Sequence, residues 1–290
     1  MQFGLAFANS GPFATPEGAA AIAEAAERSG FDSLWTIEHV VVPQEYASTY
    51  PYSRDGKMPL ADVVDMPDPL IWLAWVAART TTLKLGTGIL ILPQRNPLVV
   101  AKEAATLDTL SGGRLLLGIG IGWLEEEFRF LGVPWDDRIA RTEEYVAAMR
   151  TLWTEERATF AGRTVAFTEA ISRPHPVNGT VPIVLGGHSA AAARRAGRYG
   201  DGFFPAKGDL PALLDEMRRE ADAHGRDPDA IEVTWGGARV ARGGEEALDE
   251  IGRLAEAGVS RLVMPPLAFD AAAVGDALAR FGDEVIAKSR

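Results

Sequence analysis

A histidine that follows a glutamate at the end of an apolar run is the first residue to weigh. Glu38-His39 closes the stretch Ser33–Ile37, which reads as a strand. Imidazole at such a place gives or takes a proton near neutral pH, and a neighbouring carboxylate tunes it. Successive residues of an extended backbone point to opposite sides, so one of the two is expected to face a pocket. A second candidate lies in Pro182–Pro205. Ile183, Val184 and Leu185 form a short apolar run, as in a strand buried on both faces. Gly186 and Gly187 then turn without a Cβ, and Ser189 stands where an N-cap belongs, before an alanine-rich helix over 190–199. Together with His188, this glycine turn offers unpaired N–H groups at the positive end of a helix dipole, which suits a phosphate or another anion. A strand-to-helix turn also needs glycine for its geometry alone, so the pair does not decide by itself.

Three further places carry chemistry of the same kind. Glycine weakens a strand, so Gly86-Thr87-Gly88-Ile89 marks a bulge, the close approach of a ligand, or a bend of the sheet. Gly122-Trp123 ends the next apolar run. Lys207, just past a strand, either adds positive charge near the glycine turn or is a solvated loop lysine. Other conspicuous residues read as structural. His175 sits between two prolines, and His224 precedes a helix-ending Gly225. Arg194, Arg195 and Arg198 read as solvated charge on the outside of a helix. Glu125, Glu126 and Glu127 are consecutive, cannot converge on one ion, and have no histidine at ligand spacing. They are expected to be an acidic helix start, and no metal is expected. Gly118 to Gly122 has the wrong spacing for a dinucleotide fingerprint, and there is no P-loop or nucleophile elbow.

Eight apolar runs alternate with eight helical patterns along the chain. The runs are Phe3–Ala8, Ser33–Ile37, Leu83–Leu92, Arg114–Ile121, Ile183–Leu185, residues 201–205, Ile231–Trp235 and Val259–Val263. Such alternation implies a parallel sheet, and eight units imply a (β/α)8 TIM barrel, here one domain over residues 1–290 with insertions at the C-terminal face. An open doubly wound sheet is the competing architecture. The long irregular piece Val40–Met66, with Tyr46, Tyr50 and Tyr52, is expected to be a functional loop, and residues 158–181 a small hairpin excursion. Sites of this fold lie at the carboxyl ends of the strands. Asn9, Glu38-His39, Thr87-Gly88-Ile89, Gly122-Trp123, the 186–189 turn and Lys207 all fall there. Ser111-Gly112-Gly113-Arg114 falls on the opposite face and reads as a stabilising turn.

Composition narrows the class of partner. The 290 residues carry 29 Lys and Arg against 40 Asp and Glu, a net charge of −11, which argues against nucleic acid or an anionic membrane. An anionic small molecule needs only a local positive site. There is no cysteine, so disulfides and thiolate chemistry are out. The chain opens directly into an apolar strand without a basic leader, and no apolar run approaches membrane-spanning length. A cytoplasmic enzyme acting on a small-molecule substrate is the expectation.

Several blocks together resemble a known family. They are Arg95-Asn96-Pro97-Leu98 with the run 101–123, Glu126-Glu127-Phe128, Leu131-Gly132, Thr142-Glu143, the 185–189 turn and Gly200-Asp201-Gly202. The chain is similar over nearly its whole length to the luciferase-like monooxygenase superfamily, flavin or deazaflavin oxidoreductases on a (β/α)8 barrel. Glu38-His39-Val40, the Gly-Thr-Gly-Ile strand and the run from Trp123 lean toward the branch that uses coenzyme F420. The resemblance implies that Gly186, Gly187 and Ser189, with His188, hold the cofactor phosphate. It implies that Thr87, Gly88 and Ile89 back the tricyclic ring through a non-proline cis peptide at Gly88-Ile89, beside Gly122 and Trp123. It places His39 near the reactive ring edge with Glu38 beside it, and assigns Lys207 to phosphate. In sugar-phosphate dehydrogenases of that branch a glutamate stands where Trp123 stands here, which implies a more apolar pocket. A homodimer is common among such proteins and is expected here. An FMN-dependent monooxygenase is the alternative, because the same turn would hold the FMN phosphate. A non-catalytic flavin-binding protein and an unrelated phosphate-binding barrel lyase are the readings from other classes.

Overall fold

The computed structural model describes residues 1–59, 63–237 and 239–290; residues 60–62, within the expected loop, lie outside the described residues. Its strands are β1 (Gln2–Leu5), β2 (Ser33–Thr36), β3 (Lys84–Thr87), β4 (Leu90–Ile91), β5 (Leu115–Gly120), β6 (Ala158–Ala161), β7 (Ala166–Ala170), β8 (Ile183–Gly186), β9 (Gly202–Phe204), β10 (Glu232–Trp235) and β11 (Arg261–Met264). Its helices are α1 (Pro16–Arg28), α2 (Pro69–Ala77), α3 (Pro97–Ser111), α4 (Glu125–Phe130), α5 (Arg138–Thr154), α6 (Ala190–Tyr199), α7 (Leu210–Ala223), α8 (Gly244–Glu256) and α9 (Val274–Phe281). The sheet runs β3-β2-β1-β11-β10-β9-β8-β5-β4, and the pairing of β3 with β5 closes it. All these pairs are parallel. This is the eight-position parallel barrel that the strand–helix alternation predicts, with helices packed around it.

Local chemistry sets the element ends. Thr15, Asp68, Asn96, Ser189 and Asp209 accept first-turn amides of α1, α2, α3, α6 and α7, and proline occupies the first turn of four of these helices. Three boundaries differ from the sequence reading. The first strand ends at Leu5, because Phe7 adopts a φ of 55°. Asp270 caps a turn at Ala272 and Ala273, and α9 begins only at Val274. The run Leu83–Leu92 is two strands, since the chain leaves the ladder at Gly88-Ile89, whose peptide bond is cis.

A tryptophan fills the middle of the barrel. Trp35 is fully buried against Leu116, Val184, Phe204 and Val263, and its Nε1 donates to Ser33 Oγ at 3.0 Å. Gly4 and Gly86 lie directly on the indole, where an added Cβ would clash. A Cβ on Gly118 would collide with the Thr87 carbonyl. The aliphatic core lies outside this plug, between the barrel wall and the helices.

The insertions occupy two different places. Residues 37–68 leave the C-terminal face, as expected. The antiparallel hairpin β6–β7 instead follows α5 in a helix-to-strand connection, which belongs to the opposite face. It climbs back along α5, where Glu144 accepts the Thr164 and Val165 amides and Arg163 meets Asp137 at 2.9 Å. The expectation of insertions at the C-terminal face therefore holds for the loop and not for the hairpin.

On the face away from the strand ends, the turn after α3 is a built stability device. Arg114 is buried and donates to the carbonyls of Ala77, Leu83 and Ser111 and to the Thr80 hydroxyl. Replacing Arg114 with Met would leave these acceptors buried and unpaired. The expected loss is about 3 kcal/mol or more, read as a lower melting temperature with unchanged cofactor affinity in the surviving folded protein.

Candidate active site at the barrel mouth

The base of the long loop is tied at both ends by the same two side chains. Asn9, wholly buried, donates to the carbonyls of Ile37 (3.0 Å) and Pro67 (2.9 Å) and accepts the Ile37 amide at 2.8 Å. Arg95 bonds Glu38 through two nitrogens and reaches Asp68 at 2.7 Å. Glu38 also accepts the Ile91 amide, which fixes the start of β4 just beyond Gly88-Ile89. Burial pushes the Glu38 carboxyl up, against the pull of Arg95 and that amide. Glu38 was expected beside the reacting centre. Its carboxylate is instead 1 % exposed and fully engaged, so it positions backbone and does not face the mouth.

His39 points the other way, as alternation on an extended backbone requires. Its Nδ1 lies 2.9 Å from Glu127 Oε2, and its ring meets Trp123 edge-on at 5.6 Å. A carboxylate only accepts, so Nδ1 carries the hydrogen of this bond and Nε2 is left for a substrate. Glu127 Oε1 accepts the amides of Val40 (2.6 Å) and Val41 (3.2 Å). Burial is the strongest single influence on Glu127 and raises its pKa. The His39 bond and charge and the Val41 amide outweigh it and hold the carboxyl below its ordinary value. Glu126 accepts the amides of Ala47 and Ser48. The acidic helix start is thus also a loop clamp. Sequence reasoning missed Glu127 because nothing in a run of three glutamates shows which one turns inward.

The loop lays an aromatic wall across the mouth. Tyr46 and Tyr50 pack edge-on to Trp123 at 5.6 and 5.1 Å, Tyr50 meets Tyr52 at 5.4 Å, and Tyr52 meets His188 at 5.2 Å. Burial pushes the Tyr50 and Tyr52 phenols up, so both stay neutral donors at physiological pH. Gly122, with a φ of 80°, turns the chain so that Trp123 can join this wall, and it lies against Phe128. Lys207 donates to the Pro51 carbonyl and lies 5.3 Å from the Tyr52 ring centroid. The lysine assigned to phosphate is a loop strap here. Its charge still reaches the turn, because burial and Lys207 together lower the His188 pKa.

Opposite His39, the turn after β8 presents an anion cradle. Gly187 has a φ of 130°, and a Cβ there would lie 2.7 Å from that of Ala192. Its amide donates to Phe204 at 3.3 Å, so it stitches β8 to β9 and is not a free donor. The amides of His188, Ser189, Ala190 and Ala191 have no acceptor among the described residues. The Ser189 hydroxyl caps α6 by accepting the Ala192 amide at 3.2 Å. His188 Nδ1 is buried without a partner. Four open amides at a helix N-terminus, beside an orphaned ring nitrogen, fit a phosphate group. Ile89 packs across the ends of β5 and β8, since an added Cβ on Gly186 would lie 2.7 Å from its Cγ2 and one on Gly120 would collide with its Cδ1. Thr87, expected at the ring, is wholly buried and donates to Gly118 at 2.6 Å, so it braces the barrel.

Two outcomes follow. Both clamp carboxyls sit below their ordinary value near 4.5, Glu126 at about 2. Carboxylates depressed in the folded state stabilise above that ordinary value, and the contribution is lost as pH falls through the folded pKa. The loop should therefore stay clamped above about pH 5 and loosen progressively toward pH 2. Native fluorescence that changes in this window in wild type but not in a Trp123→Phe variant would report it. Glu38→Gln would break a buried ion pair and cost about 3 kcal/mol, visible as a lower denaturation midpoint; an unchanged midpoint would refute the positioning role.

Known proteins fit this geometry. The profile of the luciferase-like monooxygenase family matches residues 1–281. An uncharacterized protein of Mycobacterium tuberculosis is 34% identical over 186 residues, covering 64% of this chain and 65% of that protein, just under two thirds of its length. An F420-dependent glucose-6-phosphate dehydrogenase of Nakamurella multipartita is 35% identical over 227 residues, 75% of this chain and 62% of that one. Among solved structures, an F420-dependent secondary alcohol dehydrogenase in complex with an F420–acetone adduct superposes with a TM-score of 0.77 at 22% identity, covering 100% of this chain and 99% of that one. That likeness is one of fold. With a matching profile over nearly all of its length, this chain belongs to the luciferase-like monooxygenase family.

Proposed function

We propose that this protein is an oxidoreductase that transfers a hydride between coenzyme F420 and a small, uncharged organic substrate. The observation that carries the reading is the pairing, across one barrel mouth, of an amide cradle with a carboxylate-oriented imidazole. The F420-dependent dehydrogenases at 35% identity favour the deazaflavin over FMN. In the cradle, the amides of residues 188–191 would hold the cofactor phosphate, with Gly88, Ile89 and Gly122 behind the ring. When bound, the deazaflavin supplies two-electron hydride chemistry.

The chain's own residues bind, orient and manage a proton. A hydride that leaves or reaches a carbon bearing oxygen is matched by a proton that leaves or reaches that oxygen. His39 Nε2 would hold it, because Glu127 fixes the ring through Nδ1. The wall of Tyr46, Tyr50, Tyr52 and Trp123 excludes water and favours an apolar or aromatic substrate. The two lysines that lie over that wall, Lys57 at Tyr46 and Lys207 at Tyr52, are engaged with the carbonyls of Tyr46 and Pro51, which disfavours a phosphorylated substrate.

Titration of the apo-protein with F420 and with FMN, followed by quenching of native fluorescence, tests the cofactor. Tight binding of F420 and weak binding of FMN is expected, and the reverse order would favour a flavin monooxygenase. His39→Ala should keep F420 affinity within about two-fold while turnover on a true substrate falls by 10²–10⁴, the usual worth of a positioned acid–base group. Unchanged turnover would remove His39 from the mechanism.

A further inference from the structure

Arginines on the outside of α6 read as solvated charge in the sequence, and two of the three are paired. Arg194 bonds Glu216 at 2.5 Å, and Arg198 bonds Glu143 at 3.4 Å and Glu220 at 3.2 Å. Arg195 is different. It is half-buried, and no acidic side chain lies within ion-pair distance of it among the described residues. Side chains on a helix lean toward its N-terminus, so Arg195, in the second turn of α6, leans toward the 188–191 amides.

A second unpaired guanidinium stands beside it. Helices α5 and α6 follow neighbouring strands and run in the same direction, and the Glu143–Arg198 bridge sets their register. Arg138 and Arg195 each lie on the mouth side of that bridge, by five and three residues. Arg138 stacks on Trp135, 3.5 Å from the ring centroid, and donates to the Trp135 carbonyl. Its Nε is buried and has no partner. Burial lowers the pKa of both arginines, against the pull of Asp136 and Glu125 on Arg138 and of Tyr199 and Glu143 on Arg195, and the Arg195 charge is felt at Arg138. A protein of net charge −11 thus keeps two neighbouring guanidinium groups on the mouth side of the bridge with no carboxylate at ion-pair distance among the described residues.

A phosphate in the cradle accounts for the amides and leaves these two cations unused. FMN ends at its phosphate, whereas F420 continues through a lactyl group into a chain of glutamates. We propose that Arg195 and Arg138 form a carboxylate-binding rim beyond the cradle that holds the oligoglutamate tail of the cofactor. Planar guanidinium forks suit carboxylates in pairs, and stacking on Trp135 pre-orients one of them. The inference rests on the F420 reading and adds to it a residue-level reason for preferring that cofactor to FMN.

Equilibrium binding tests it without any substrate. F420 bearing one glutamate and F420 bearing five or more are titrated against wild type by native fluorescence quenching, at low and at high salt. The long-tailed form should bind about five-fold more tightly at low salt, and the gain should vanish at about 0.5 M salt. Arg195→Gln and, separately, Arg138→Gln should lose most of the gain while binding the one-glutamate form as wild type does, and Arg195→Lys should keep part of it. Equal affinity for the two tail lengths in wild type, or a gain untouched by both glutamine variants, would overturn the rim and leave the F420 reading standing. Binding of FMN with no binding of either F420 would overturn both.

Discussion

One indole at the barrel axis constrains everything above it. Trp35 shares the small barrel with Leu116, Val184, Phe204 and Val263 only because the strands beside its indole carry no side chain at Gly4 and Gly86. Phe204 closes over its edge at 5.1 Å, and a Cβ on Gly88 would press on the Thr36 carbonyl, the Trp35 Cβ and the Phe204 ring. The chain steps off the ladder at Gly88-Ile89 and delivers the Ile89 side chain over Gly120 and beside Gly186. The Gly88-Ile89 step and the glycine turn after β8 are thereby parts of one packed unit, although almost a hundred residues separate them.

Charge in this acidic protein is spent mostly on its own backbone. Glu126 and Glu127 hold loop amides, Glu38 holds the start of β4, Glu144 holds the hairpin, and Glu27 accepts the amides of residues 81–83. The anion cradle, in contrast, is built from peptide N–H groups at a helix end. Such donors cannot be neutralised by pH and are fixed by the fold, which keeps a local positive potential beside so much negative charge.

Much of this was legible in the sequence. Strand–helix alternation gave the barrel, and glycines with a following serine gave the cradle, because turn chemistry is local. His39 was legible from its place at a strand end. The partners of these residues were not, because they depend on which distant elements meet. Glu127 and Lys207 both ended up gripping the same loop, 88 and 156 residues away from their partners His39 and Pro51. Gly187 looked like a free donor from its position in the motif, yet its amide belongs to the β8–β9 ladder, and the open donors begin one residue later. Arg195 carried no signal beyond helix spacing, since only packing distinguishes it from Arg194 and Arg198.

The tie at the base of residues 37–68 has an evolutionary consequence. Asn9 grips Ile37 and Pro67, and Arg95 grips Glu38 and Asp68, so the barrel holds both ends of the excursion at once. Once the ends of a chain segment are fixed, lengthening or shortening what lies between them changes closure entropy only slowly. The stretch is in effect an exchangeable cassette: its length and content can change while the barrel that grips its two ends stays as it is.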